Sequence, residues 1–104
     1  MDETRIIINH GGIWYENTYK GSWSDMVLVL SNMNYEFLVF LMHKIVRINP
    51  NYFFYDIRSL HNTHGKIVRF KIESDRDLRF VLKVGNDVYK VYVTVEFHPS
   101  ESII

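Results

Sequence analysis

Apolar residues recur along this chain with two different spacings, which separate a central helix from the strands around it. The stretch Asn34–Val46 carries apolar residues at i, i+3, i+4 and i+7, the spacing of a helix with one face against a core. These residues are Leu38, Leu41, Met42 and Ile45. Asn32 or Asn34 is expected to cap the start of this helix, and Pro50 limits its end.

Runs of β-branched residues and strict alternation of apolar with polar residues predict the strands. The predicted strands are Arg5–Asn9, Met26–Ser31, Tyr52–Leu60, Lys66–Ile72 and Tyr89–Phe97. The second of them is an almost unbroken apolar run, which predicts a strand with both faces at least partly covered. Asp25 is an alternative first residue of that strand.

The connections between these elements carry glycine, proline and polar residues. Gly11 and Gly12 are expected to turn the chain after the first strand. The return begins at Ile13–Tyr15, and Glu16–Ser22 has the composition of an irregular excursion. The polar stretch His61–Gly65 predicts a turn between the third and fourth strands.

A short second helix is predicted after the fourth strand. Ser74 is the expected cap, and Asp75 and Asp77 place acids at the positive end of the helix. Gly85 suits the exit of this helix, and the tail from His98 is expected to fray.

The order of the predicted elements, ββαββαβ, is typical of the ubiquitin-like β-grasp, an α+β fold in which one long helix packs on a mixed sheet. The chain has 104 residues, of which 47% are hydrophobic. That size supports one core and is too small for two. We therefore expect a single domain over residues 1–104.

The composition excludes several kinds of site. The chain has no cysteine, so disulfides, thiolate zinc sites and thiol nucleophiles are absent. Its formal net charge is zero, which gives no overall field to attract nucleic acid or anionic lipid. No apolar run approaches the roughly 18 residues of a membrane span. We expect a soluble, intracellular domain without membrane contact.

Catalytic and ligand motifs are not recognisable in the sequence. No spacing indicates a catalytic triad, a pair of catalytic acids or a cofactor fingerprint, so the chain is predicted to be non-enzymatic, without cofactor or small-molecule ligand. His61 and His64 are possible metal ligands, with His10 or His43 nearby, but a solvated turn is the favoured interpretation.

Basic residues concentrate on the predicted fourth strand and its neighbours. They are Lys66, Arg69 and Lys71, with Arg5 and Arg58 as further members. Such a stripe can contact phosphates or an acidic partner. The favoured alternative is a solvent-facing sheet edge that charge keeps soluble.

The long helix carries more apolar residues than one sheet face requires. Phe40 falls on its polar side, beside Glu36, His43 and Lys44. Exposed aromatic residues often mark contact sites, and Trp14, Trp23 and Tyr92 are candidates for the same surface. Alternatively, the Glu16–Ser22 excursion folds back and covers Phe40; the sequence leaves both possibilities open.

Five short motifs, in order, resemble the N-terminal domain of plant Mutator-like transposases, a Phox-and-Bem (PB-one) type, ubiquitin-like module. The motifs are Gly11-Gly12-Ile13-Trp14, Tyr19-Lys20-Gly21, Tyr35-Glu36-Phe37-Leu38, Ser74-Asp75-Arg76-Asp77-Leu78 and Val91-Tyr92-Val93. The resemblance implies a nuclear plant protein derived from a transposable element. It also implies that this part is a protein-interaction domain, and that DNA is bound by other regions of a longer transposase.

Modules of this type pair front to back, a base on the first strand of one copy meeting acids on the next. Arg5 matches the basic position, and Asp75 and Asp77 match the last acids of the acidic cluster. The His61–Gly65 turn carries no carboxylate. Capping of the second helix is the favoured interpretation of Asp75 and Asp77.

We therefore predict a non-catalytic module that associates with itself or with a partner protein. The alternative is an accessory nucleic-acid-binding domain that uses the basic strand. The candidate partner-binding residues are Glu36, Phe40, His43, Lys44, Arg5, Arg69, Lys71, Asp75 and Asp77.

Overall fold

The chain is built on a five-stranded sheet, with a separate two-stranded hairpin and two helices. The computed structural model describes residues 3–21, 23–83 and 88–98. The elements in chain order are β1 (Glu3–His10), β2 (Ile13–Tyr15), β3 (Thr18–Lys20), β4 (Trp23–Leu30), α1 (Tyr35–Ile45), β5 (Phe53–Thr63), β6 (Lys66–Lys71), α2 (Asp75–Lys83) and β7 (Val88–Phe97).

The sheet is mixed, with the order β4-β1-β7-β5-β6. The first and last strands lie side by side at its centre and run parallel, with Ile8 opposite Val91. The other neighbouring strands are antiparallel. The predicted α+β class with a mixed sheet is therefore confirmed.

The inner face of α1 forms one side of the core. Leu38, Leu41 and Met42 are buried, as the helical spacing predicts. Asn34 caps the helix, since its side-chain oxygen accepts the Phe37 amide at 2.8 Å. Alternate residues of the central strands and the inner edge of α2 complete the core: Ile6, Ile8, Ile57, Val91, Val93, Leu78 and Val81.

The connection between β1 and β4 differs from the prediction. Ile13–Tyr15 does not begin the return strand but pairs with Thr18–Lys20, and the two form the separate hairpin. Glu16 turns this hairpin with a φ of 57°. Ser22, the last residue of the predicted excursion, lies outside the described residues.

Strand β4 contradicts the prediction that both its faces are covered. It lies at the edge of the sheet and pairs with β1. Met26, Leu28 and Leu30 are exposed on one face, and Val29 is buried on the other. An apolar run does not by itself distinguish a central strand from an edge strand, because its periodicity is the same in both.

The hairpin formed by β5 and β6 turns later than predicted. His61, Asn62 and Thr63 belong to β5, and the turn itself is His64-Gly65. Both turn residues have positive φ, 52° and 79°, which is the conformation of tight hairpin turns.

The end of the last strand is held in place, although fraying was predicted from His98. The His98 amide donates to the Tyr52 carbonyl at 2.9 Å, and its ring Nε2 lies 2.9 Å from the Pro50 carbonyl. The rest of the predicted frayed tail and the predicted helix exit at Gly85 lie outside the described residues.

Strand β5 is staggered between its two neighbours. It pairs with β7 over Phe53–Arg58 and with β6 over Arg58–Thr63. The last bond on the β6 side runs from the Ile72 amide to the Ile57 carbonyl at 2.8 Å. Within the described residues, positions 53–56 therefore have a strand on one side and, on the other, a free edge at which the Phe53 amide bonds to the Asn49 carbonyl.

Two leucine-to-alanine changes test the assignment of core and edge. Leu38 is 0% exposed and Leu28 is 60% exposed. We expect Leu38→Ala to lower the free energy of unfolding by about 2–5 kcal/mol, because it leaves a cavity in the core. Leu28→Ala should change it by less than about 1 kcal/mol. Urea denaturation measures both, and similar losses would contradict the position of β4 at the edge.

Candidate functional site

A groove of about 720 Å³ lies between the outer side of α1 and the free edge of β5. The helix contributes Glu36, Val39, Phe40 and His43. The strand contributes Phe53 and Tyr55. A concave, mostly apolar surface with a few polar groups is the usual form of a binding site.

Phe40 stands at the rim of this groove and is 51% exposed. Its ring lies 6.1 Å from that of Phe37, and the Lys44 ammonium is 5.1 Å from the centre of the Phe40 ring. The lysine therefore makes a cation–π contact with this half-exposed ring. A half-exposed aromatic beside an apolar groove is typical of a contact site.

One end of the groove carries basic and imidazole groups. The Tyr55 hydroxyl lies 3.3 Å from His43 Nδ1, and burial raises the pKa of this tyrosine. The hydroxyl therefore keeps its proton at neutral pH. His98 lines the same end, and Lys44 and Arg47 line an adjoining depression. This end offers hydrogen-bond donors and positive charge.

The opposite end of the groove is acidic. Glu36 and Glu73 line it, beside Tyr35. Burial raises the pKa of Tyr35, and the carboxylates of Glu73, Asp77 and Asp56 raise it further. Lys71 lies 3.7 Å from Glu73 and balances part of this charge. The groove therefore changes in charge along its length.

The structure brings together about half of the residues proposed from the sequence. Glu36, Phe40, His43 and Lys71 line the groove. Lys44 contacts Phe40. The remaining four lie elsewhere, on strands β1 and β6 and at the start of α2: Arg5, Arg69, Asp75 and Asp77.

Asp75 and Asp77 are engaged at helix starts. Asp75 Oδ1 accepts the Tyr35 amide at 2.6 Å and so links the start of α2 to the start of α1. Asp77 Oδ2 accepts the Glu73 amide at 3.0 Å, and the Asp77 amide donates to Ser74 Oγ at 3.2 Å. This reciprocal bonding resembles a capping box and confirms Ser74 as the cap.

The β2–β3 hairpin lies on the sheet face opposite α1. The rings of Trp14, Tyr19 and Tyr92 pack together with centroid distances of 5.1–5.5 Å. Asn17 Nδ2 donates to the Ile67 carbonyl at 2.8 Å. The alternative in which the excursion covers Phe40 is therefore wrong for its described part, residues 16–21. Trp14 of the hairpin and Tyr92 of the sheet are partly buried against each other and do not join an exposed aromatic surface with Phe40.

Tyr19 holds this hairpin to the sheet. Its hydroxyl accepts the Gly12 amide at 3.0 Å and donates to the Val93 carbonyl at 2.6 Å. A Cβ atom at Gly12 would lie 2.6 Å from the Tyr19 ring and from the Lys20 carbonyl oxygen. Glycine is therefore required here for close approach of the two chain segments.

Most of the predicted basic stripe is engaged within the protein. Arg58 binds both oxygens of Asp56, at 2.7 and 3.2 Å, and this contact raises the pKa of Arg58. Lys71 lies 3.9 Å from Asp56. The Arg69 guanidinium stacks 5.0 Å from the Trp14 ring. Two of the five members of the stripe are therefore paired with an acid, and a third contacts an aromatic ring.

The histidines do not gather into a metal centre in the described part of the chain, where no three His, Cys, Asp or Glu side chains cluster. His61 Nε2 is 2.8 Å from Ser59 Oγ, and His10 Nε2 is 2.7 Å from Asp25. In the same residues, no helix is long and apolar enough to span a membrane.

Comparison with known proteins adds no relative. No family model, curated protein or solved structure matches this chain. The function is therefore interpreted from the geometry of the site, and the motif resemblance stays a hypothesis.

Sequence reasoning missed the strand side of the groove. Phe53 and Tyr55 were assigned to an ordinary strand. Counting the hairpin register back from Gly65 places Arg58 opposite Lys71, so residues before Arg58 have no partner in β6. The difference in length between the two strands was the signal for a free edge.

Removal of one hydroxyl tests the attachment of the hairpin. We expect Tyr19→Phe to lower the free energy of unfolding by about 1–3 kcal/mol, because the Gly12 amide and the Val93 carbonyl lose their partner. Tyr15→Phe, at an exposed tyrosine of the same hairpin, should change it by less than about 0.5 kcal/mol. Equal effects in urea denaturation would contradict the proposed anchor.

Alkaline pH should destabilise the fold through its half-buried tyrosines. Burial raises the pKa of Tyr19, Tyr35, Tyr55 and Tyr92 above the ordinary tyrosine value of 10.0. On raising the pH, the unfolded chain loses these protons before the folded chain does. The contribution of these tyrosines to the free energy of unfolding is therefore fully present below pH 10 and is lost as the pH rises through the folded pKa values. Urea midpoints measured from pH 8 to 11 should decline, and the decline should be shallower in Tyr19→Phe.

Proposed function

We propose that this chain is a non-catalytic protein-interaction module that binds its partner in the groove between α1 and β5. The observation that carries the proposal is the half-exposed ring of Phe40 at the rim of an apolar groove. Burial of a large aromatic side chain is a common source of binding energy at protein interfaces.

The fold that we propose is a ubiquitin-like β-grasp with an added hairpin. If β2 and β3 are set aside, the sheet order is second, first, last, third, fourth, and the first and last strands are parallel. The long helix packs on one face of the sheet. This order supports the β-grasp, but a fold does not by itself imply a function, so the functional proposal rests on the groove.

The biological context that we propose follows from the motif resemblance. The chain would be the interaction module of a plant Mutator-like transposase, or of a protein derived from one, and would act in the nucleus. It would recruit a partner or associate with itself, while DNA is bound by other regions of such a protein. The five motifs named above support this context.

Front-to-back pairing is the less favoured mode of association. Asp75 and Asp77 accept backbone amides at the helix starts, so their acceptor capacity is partly used. The 61–65 segment carries no carboxylate that could extend an acidic cluster. The groove, in contrast, offers an apolar surface that no described segment covers.

An accessory nucleic-acid-binding role has weaker support. Arg58 and Lys71 lie beside Asp56, and Arg69 stacks on Trp14. A phosphate-binding surface needs free positive charge, and its affinity falls steeply with salt. Binding of an oligonucleotide at low salt that weakens on addition of salt would favour this alternative.

Two phenylalanine-to-alanine changes test the groove. Phe40 and Phe80 are both 51% exposed, but Phe80 lies on α2, away from the groove. Peptides selected from a random display library against the folded chain should bind Phe40→Ala at least about tenfold more weakly, because an aromatic anchor is lost. The same peptides should bind Phe80→Ala within about twofold of the parent chain.

The measurement is fluorescence anisotropy with labelled peptides, after urea denaturation has shown that both variants fold. A selection without binders, or binders that tolerate Phe40→Ala, would overturn the proposed function.

A further inference from the structure

Along the free edge of β5, the backbone N–H and C=O groups of alternate residues point away from β7, as they would towards a further paired strand. The Ile57 carbonyl accepts the Ile72 amide, and the Phe53 amide donates to the Asn49 carbonyl at 3.0 Å, so these residues face away from β7. Because backbone groups alternate along a strand, the N–H and C=O of Tyr55 face the same way. Phe54 and Asp56 face β7.

The space beside this edge lies in line with β6. That strand runs antiparallel to β5 and ends at Lys71, and the chain then leaves towards α2. An added segment would continue the line of β6, with α1 as the wall of the groove. Residues 53–56, Phe-Phe-Tyr-Asp, contain neither the lysine nor the proline that commonly blocks strand addition at an edge.

The pattern of side chains specifies which positions of an added segment must be apolar. Tyr55 points to the helix face of the sheet, where its hydroxyl meets His43. A residue opposite Tyr55 would have its side chain on the same face, against Val39 and Phe40. Its immediate neighbours would point to the other face. The groove therefore suits alternate apolar residues.

The charge of the groove specifies a direction. Glu36 and Glu73 lie at the end near Ile57, where Lys71 balances part of the charge of Glu73 at 3.7 Å, whereas His43, His98 and the adjoining Arg47 lie at the end near Phe53. A segment antiparallel to β5 begins at the acidic end and finishes at the basic end. Complementary charge therefore requires basic residues towards its N-terminus and acidic residues towards its C-terminus.

We propose that the groove binds an extended segment of a partner protein, which adds to β5 as an antiparallel strand opposite Tyr55. The segment is apolar at alternate positions, basic towards its N-terminus and acidic towards its C-terminus. This inference rests on the proposed function and specifies the partner and the mode of recognition. Strand addition obtains affinity from backbone hydrogen bonds and specificity from alternate side chains.

The first test uses the selected peptide whose binding is weakened most by Phe40→Ala. Its backbone amides are N-methylated one position at a time. The residue opposite Tyr55 must donate its amide, whereas the amides of its two neighbours face away from β5. Methylation should weaken binding at least about tenfold at that residue and less than about threefold at the neighbours. On the protein, the Tyr55 amide should gain protection from hydrogen exchange on binding, and the Phe54 amide should not change.

The second test exchanges the terminal charges of the same peptide. An acidic N-terminal side and a basic C-terminal side should weaken binding several-fold at low salt, and added salt should reduce the difference. Glu36→Lys should reduce the preference for the original order. Glu16→Lys, at an exposed glutamate of the hairpin, should leave it unchanged.

The outcomes separate this inference from the proposed function. Binders that need Phe40 but show no alternation on methylation, or that leave the Tyr55 amide unprotected, would overturn strand addition and retain the interaction module. A preference for the reversed charge order would overturn the antiparallel direction. Binding by a second copy of the chain, seen as protection of the Tyr55 amide that increases with protein concentration alone, would replace the partner protein as the occupant.

Discussion

The stagger of β5 between β7 and β6 determines what this fold can offer to a partner. Within the described chain, Arg58 is paired with both neighbours, whereas residues 53–57 are paired with β7 and residues 59–63 with β6. The Ile72 amide makes the last bond before the chain turns to α2. Asp56 lies beside this junction and binds both Arg58 and Lys71. Its side chain is mostly buried and its contact with Arg58 is bidentate, so the pairing is stronger than that of an exposed ion pair.

The two faces of the sheet are covered by elements of different kinds, and this leaves the outer side of α1 open. The helix buries Leu38 and Met42 on one face of the sheet. On the opposite face, the β2–β3 hairpin is fixed by the Tyr19 hydroxyl and by the ring of Trp14, which packs against the rings of Tyr19 and Tyr92. Because the hairpin is committed to that face, Phe40 keeps its exposure. The additional apolar side chains on the outer side of α1 therefore stay exposed in the folded chain. Contact with another molecule is the most direct explanation of this exposure.

The sequence predicted the parts of the fold that depend on local periodicity. The stripe containing Leu38 and the cap at Ser74 were predicted correctly, because spacing and capping act within a few residues. The exposure of Met26 was not predicted, because position in a sheet is set by distant strands. In the site, Phe40 was identified as an outlier on a polar helix face. Tyr55 was missed, because its free edge depends on the register of two strands across the His64 turn.

The elements that form the groove are fixed by contacts within the chain itself, without a partner. The start of α1 is capped by Asn34 and linked to α2 through Asp75. The residues of β5 that have a free edge on one side are paired with β7 on the other. A rigid site loses little conformational freedom on binding, so most of the ordering falls on the incoming segment. A flexible segment loses about 1–2 kcal/mol of backbone entropy per ordered residue, which favours short, strongly apolar segments with complementary charge at both ends. The same rigidity keeps the Tyr55 amide and carbonyl aligned for one residue of an added strand, so that recognition depends on backbone direction as well as on the Phe40 ring.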